Sequence, residues 1–262
     1  MSAWNTSAKA SAQPDCWCEG FGGRYPLYDE FGLCVAWREL CTCEAGQRAR
    51  QEAEANAATS RSRRIKRYLE DSGIPPRFRQ FDLQGSPQRK LARQLMEAPG
   101  DSSWLLWGPP GRGKTGLAAG YLKHWVEQNV RRAAFVPLPR LLSELRASYD
   151  ADYTELDVLD RYATIPLLVL DDLGAEAFGN EAWFTDRLYQ IIGTRHDSLR
   201  PMIFTSNLTP EDLARRLGER IWWRVIESCG PERIVHVAGP NLRMQGCAQE
   251  RTHGCTTSSS AG

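Results

Sequence analysis

The chain has 262 residues, enough for one α/β domain and a small appendage. With 42% hydrophobic and 25% charged residues its composition is that of a folded globular domain, and a net charge of +1 excludes a nucleic-acid-binding surface spread over the whole chain. No apolar run approaches the ~20 residues that span a bilayer, and the opening MSAWNTSAKASAQPD lacks the apolar centre of a secretion signal, so a cytoplasmic protein with no membrane partner is expected.

In chain order, residues 1–15 are small and polar and read as a disordered tail. Residues 16–43 are rich in Cys, Gly and aromatics, without helical periodicity. Cys16-x-Cys18 and Cys41-x-Cys43 are paired cysteines with Cys34 between them. In a reducing compartment, clustered thiolates point to a metal before a disulfide, and four of them make a tetrahedral Zn²⁺ site. Both pairs are one residue tighter than the usual C-x₂-C, and Cys34 is an alternative ligand. A flexible segment of reduced thiols is the other reading. Residues 44–73 form a helical linker with a basic end at Arg61, Arg63, Arg64, Lys66 and Arg67, broken by Pro75-Pro76.

Beyond Gly100 strand and helix patterns alternate. Strands are expected at 104–107, 133–138, 167–170, 202–205 and 233–237, and helices at 114–128, 140–149, 182–199, 210–218 and 220–227. That alternation implies a parallel sheet covered on both faces. A tail over 245–262 reads as disordered.

Gly108-Pro109-Pro110-Gly111-Arg112-Gly113-Lys114-Thr115 fits G-x-x-x-x-G-K-[ST], with Gly116 following in the first helical turn. The glycines let the backbone curl so that its N–H groups face phosphates, and the next helix presents its N-terminus to the same anion. Lys114 is expected to neutralise the β- and γ-phosphates of ATP, and Thr115 to ligate Mg²⁺. The plain alternative is a Gly/Pro turn with an incidental lysine. Leu167–Leu170 reads as a buried strand ending in Asp171 and Asp172, where α/β sheets bind ligands. Asp171 is expected to hold Mg²⁺ and Asp172 to polarise the attacking water, with a surface Asp-Asp turn as the alternative. Asn207 closes the strand MIFTSN and is either a water-orienting amide or a turn residue. Arg220 and Arg224 share a helix face, either as a solvated basic face or as an arginine finger. Beside them, at least one of Trp222 and Trp223 is expected in the core.

The stretches IPPRF (74–78), GPPGRGKT, LLSELRASY (141–149), LLVLDDLGAE (167–176), TSNLTPEDLARRLGER (205–220) and GPNLR (239–243) together resemble the DnaC/DnaI-type replicative helicase loaders and the similar IstB-type transposition ATPases, both AAA+. The resemblance covers about residues 74–244. It implies an α/β AAA+ P-loop fold with a five-stranded parallel sheet, preceded by the small Cys-rich zinc-binding region. It further implies Asn207 as sensor 1, Arg224 as the finger acting on a neighbour's ATP, with Arg220 as a conditional candidate, and Arg243 near the sensor 2 arginine. The family has Ser-Tyr before that arginine, where this chain has Asn241-Leu242. Lys114, Asp172, Asn207 and Arg224 are thus the expected catalytic set.

The expected function is ATP-driven loading of a replicative DNA helicase onto single-stranded DNA, with self-association through AAA+ interfaces. The alternatives are an IstB-like ATPase regulating a transposase on double-stranded DNA, and an adaptor that uses ATP only as a conformational ligand.

Overall fold

The computed structural model describes residues 26–28, 34–37, 44–148, 152–174 and 181–242. Cys16, Cys18, Cys41, Cys43, Arg243 and both expected tails lie outside the described residues. The chain divides into two compact units, Met1–Arg64 and Ile65–Gly262.

In the first unit, strands β1 (Pro26–Tyr28) and β2 (Cys34–Trp37) pair antiparallel, with Pro26 opposite Trp37. Helix α1 (Glu44–Glu70) follows. Up to Arg64 its sequence is Ala, Arg and Glu nearly all round, so solvent and i,i+4 pairs such as Arg48–Glu44 support that stretch rather than a core.

The second unit holds the remaining elements. Helix α2 (Arg89–Glu97) leads into β3 (Trp104–Trp107) and α3 (Lys114–Asn129). Strand β4 (Ala133–Pro137) is followed by α4 (Leu138–Ala147) and α5 (Glu155–Thr164). Then come β5 (Leu167–Asp171), α6 (Glu181–Asp197) and β6 (Met202–Ser206). Helices α7 (Pro210–Leu217) and α8 (Glu219–Cys229) precede β7 (Ile234–His236). The sequence pattern anticipated the five strands and five of these seven helices to within about three residues; α2 and α5 it did not. Yet α5 carries a local signal, because Thr154 accepts from the Asp157 N–H while the Asp157 carboxylate accepts from Thr154 N.

The strands form one parallel sheet in the order β4-β5-β6-β3-β7. Alternate side chains feed two cores. Leu105, Leu168, Leu170 and Phe204 point to one face, beneath α4 to α8. Leu106, Leu167, Val169 and Ile203 point to the other, beneath α2 and α3. Strands buried on both faces explain the unbroken apolar runs LLVL and MIF. The last turns of α1 belong to this second core, where Ile65, Tyr68 and Leu69 pack. Helix α3 sits close to its neighbours because Gly116 and Gly120 leave room for the Phe81 ring, about 3 Å from where a Cβ would stand.

The sheet order places the site. Strand β6 lies between β3, which leads into the glycine loop, and β5, which ends in the acids. With Trp107 opposite Ser206 and Leu170 opposite Phe204, residues 108, 172 and 207 emerge side by side at the C-terminal edge.

Candidate nucleotide-binding site

The loop between β3 and α3 turns through three glycines with positive φ: Gly108 at 139°, Gly111 at 80° and Gly113 at 91°. Side-chain-bearing residues are strained there, so the spacing of the glycines is the spacing of the turns. Pro109 and Pro110 are exposed on the loop. Gly113 precedes α3 and offers no side-chain cap, which leaves the first helical N–H groups to an anion. Such a cradle fits a chain of phosphates.

Lys114 is 5% exposed. Its Nζ donates to Gly108 O (2.7 Å), Pro109 O (3.0 Å) and Asn207 Oδ1 (2.7 Å). Asn207 in turn donates from Nδ2 to the Asp172 carboxylate at 3.2 Å. An unbroken polar chain thus runs from the loop lysine through the amide to the second acid. These residues are separated in sequence by up to 93 positions and are joined only by the sheet register.

Asp171, the last residue of β5, is buried. Burial pushes its carboxyl pKa up. Hydrogen bonds from Thr205 and Thr115 and the charge of Arg77 oppose that shift, and Asp172 adds to it. Thr115 and Asp171 therefore share one small polar site. Two hard oxygen donors side by side fit Mg²⁺, which Thr115 and Asp171 would hold.

Asp172 adopts φ 61°, a left-handed backbone that Asp tolerates better than most residues. Three contacts hold it there. Its N–H donates to Thr205 Oγ1 at 3.0 Å, Leu173 N–H donates to Thr205 O at 2.8 Å, and Ser206 Oγ donates to Leu173 O at 2.7 Å. Thr205 also donates to Asp171 Oδ1 at 2.6 Å, so one hydroxyl orients both acids. Sequence reasoning missed Thr205. Its signal was a hydroxyl directly after the apolar run Met202–Phe204 in a buried strand, which needs a partner.

Arg112 and Arg224 behave differently from Lys114. The Arg112 guanidinium donates to Gly239 O. On α8, the half-buried Arg224 stacks 4.5 Å over the Tyr189 ring of α6, and the exposed Arg220 stacks 4.6 Å over the same ring. Among the described residues neither has a carboxylate within 4 Å. Trp222 packs against the core while Trp223 is 60% exposed. A cavity of about 520 Å³ opens beside them, lined by Tyr189, Arg215, Arg216 and Arg220 among others.

The sequence profile of the family described as IstB-like ATP binding protein matches residues 51–240. The chain is 28% identical over 212 residues to the uncharacterized protein YdaV of Escherichia coli (strain K12), covering 76% of this chain and 82% of YdaV. It is 31% identical over 203 residues to the replicative helicase loader DnaI of Bacillus subtilis (strain 168), covering 71% of this chain and 61% of DnaI. A putative ATP-binding protein in an insertion sequence of Mycobacterium tuberculosis is 31% identical over 165 residues, covering 61% of this chain and 62% of that protein. The chain thus spans less than two thirds of the length of the last two. The crystal structure of DnaI superposes with a TM-score of 0.55 at 26% identity, covering 68% of this chain and all (100%) of that one.

Proposed function

The chain belongs to the IstB-like ATP-binding family, and from that premise we propose that it hydrolyses ATP in order to load a replicative helicase onto single-stranded DNA. The observation that carries the catalytic half is the chain Lys114–Asn207–Asp172, which ties the phosphate loop to an acid. The loop N–H groups and the α3 terminus bind the triphosphate. Lys114 exchanges its carbonyl partners for phosphate oxygens. Thr115 and Asp171 would hold Mg²⁺, and the ion would supply charge that offsets the phosphates. Asp172 aligns the attacking water and draws on its proton, and Asn207 keeps that carboxylate in place. The Zn²⁺ reading of Cys16, Cys18, Cys41 and Cys43, with Cys34 as the alternative, and the sensor reading of Arg243 rest on sequence alone.

Arg224 completes the site of a neighbouring copy. Its support is the resemblance, together with the stacking of Arg220 and Arg224 over Tyr189, where among the described residues neither guanidinium has a carboxylate within 4 Å. Arg224→Ala and Lys114→Ala are each expected to bring ATPase activity close to background. An assembly mixed from both should recover part of it, because one interface then pairs an intact loop with an intact finger. No recovery in mixtures shown to co-assemble returns Arg224 to a surface role.

Asp172→Asn should retain ATP binding and lose about 10²-fold or more in turnover, the usual worth of a positioned base. Undiminished turnover removes Asp172 from the mechanism.

The partner half is supported by the likeness to DnaI. A second reading, an ATPase that regulates a transposase on double-stranded DNA, has support from the insertion-sequence relative at equal identity. The deciding experiment offers the full chain a replicative helicase with single-stranded DNA, and separately a transposase with duplex DNA. ATP-dependent deposition of helicase on the single strand supports loading. ATP-dependent recruitment of transposase to the duplex overturns it, and binding of ATP without turnover on either polymer leaves an adaptor.

A further inference from the structure

The segment that follows β7 lies against the phosphate loop rather than leaving the domain. Val237 N–H donates to Trp107 O at 2.8 Å, and Leu242 N–H donates to Gly111 O at 2.8 Å. Between these two anchors the Gln88 amide donates to Ala238 O and the Arg112 guanidinium donates to Gly239 O. Gln88 is the residue just ahead of α2, whose Leu91, Ala92 and Leu95 share a core with α3.

The fit is close at two glycines. A Cβ at Gly111 would stand 2.1 Å from Asn241 Oδ1, and one at Gly239 would stand 2.8 Å from Gln88 Nε2. Both glycines also have positive φ, 80° and 127°, so a side chain at either would be strained as well as crowded.

We propose that residues 237–242 are a brace that pre-shapes the phosphate loop for nucleotide, and that Gln88 and Arg112 are positioning residues that hold the brace in place. A loop turning on three glycines has many conformations to lose when it closes around an anion. Tying the carbonyl of Gly111 and the side chain of Arg112 to a fixed segment removes part of that loss before the nucleotide arrives, and preorganisation appears as affinity. Arg112, a cation within the loop, is thereby committed to a backbone carbonyl, while Lys114 remains for the phosphates. Gln88 acts only through the brace, because its amide is spent on Ala238 O.

The proposal rests on the ATP-binding reading, and its test separates the two. Gln88→Met keeps the shape of the side chain and removes the donor. In the full chain, this variant should bind a fluorescent ATP analogue about three- to tenfold more weakly, in line with a lost preorganising contact. Its turnover at saturating ATP should be unchanged, because Asp171, Asp172 and Asn207 are untouched. Hydrogen exchange at the Leu242 amide should quicken in the nucleotide-free protein. Combining it with Arg112→Met should weaken binding by less than the product of the two single effects, since both act on one brace. Faster exchange at Leu242 with unaltered ATP affinity overturns the brace, as does unaltered exchange. A wild type that binds no ATP fails the nucleotide reading itself and takes the affinity claim with it.

Discussion

Two buried cations sit at opposite ends of the same sheet, and they are held in different ways. At the C-terminal edge, Lys114 donates to two loop carbonyls and one amide. At the N-terminal edge, Arg195 of α6 is fully buried and spreads its guanidinium over the end of α5 and the entrances to β5 and β6. It donates to Tyr162 O (2.9 Å), Ile165 O (2.7 Å) and Pro201 O (2.7 Å), with longer contacts to Ala163 O and Pro166 O. Burial, with Arg200 nearby, pushes its pKa down to about 9, so it still carries its charge at neutral pH.

The difference lies in the chemistry of the two side chains. An ammonium on a flexible stem can change partners, which suits the phosphate contact proposed for Lys114. A planar fork whose two terminal nitrogens face five carbonyls on three segments has nowhere else to go. It satisfies backbone carbonyls at the end of a helix and the start of two strands, of which Pro201 O also accepts from Leu168 N–H at 3.3 Å. The upper cation is built for exchange and the lower one for permanence.

The largest effect should come from breaking the lower site. Arg195→Ala leaves several buried carbonyls without a donor and is expected to cost about 3–5 kcal/mol of stability. Urea unfolding measures it, while ATP affinity of the folded fraction should stay at the wild-type value. A loss of affinity without a loss of stability would reverse the roles assigned to the two ends.

Next in size is Lys114→Ala, which should reduce turnover about 10²- to 10³-fold, as loss of a preorganised charge donor does. Its carbonyl partners lie in a loop at the rim, so the stability change should stay within about 1 kcal/mol. Wild-type ATP affinity in this variant would sink the phosphate-loop reading. The smallest change is Arg195→Lys, which retains the charge but not the fork. A cost of about 1–2 kcal/mol by the same unfolding measurement is expected, because an ammonium cannot reach all three segments at once. A fully wild-type melting curve would mean that charge, and not the fork, is what the lower site needs.

Several features could be read without the structure because they are local. The phosphate cradle is made by the backbone of eight consecutive residues, so its glycines and lysine can be read directly. Strands β3, β5 and β6 were legible because burial on both faces writes an unbroken apolar run. Asp171 and Asp172 were legible because they end such a run. Helix α2 was missed although Leu91, Ala92, Leu95 and Met96 recur at helical spacing, because the periodic stretch is only nine residues long. In α5 the capping pair and the apolar spacing were present and went unread.

What the tertiary structure alone decided is long-range. Arg195 looks like any helical arginine until the sheet brings Pro201 and the end of α5 to it. Thr205 gains its role only when β6 settles beside β5, and Asn207 only when β6 also borders β3. Tyr189 comes to lie beneath both Arg220 and Arg224 because α8 packs against α6. Gln88 reaches Ala238 across 150 residues. Contiguous motifs are dictated by the conformations that a few neighbouring residues permit. The pairing of distant polar groups depends on strand order and register, which many weak apolar contacts set together and no short stretch of chain encodes.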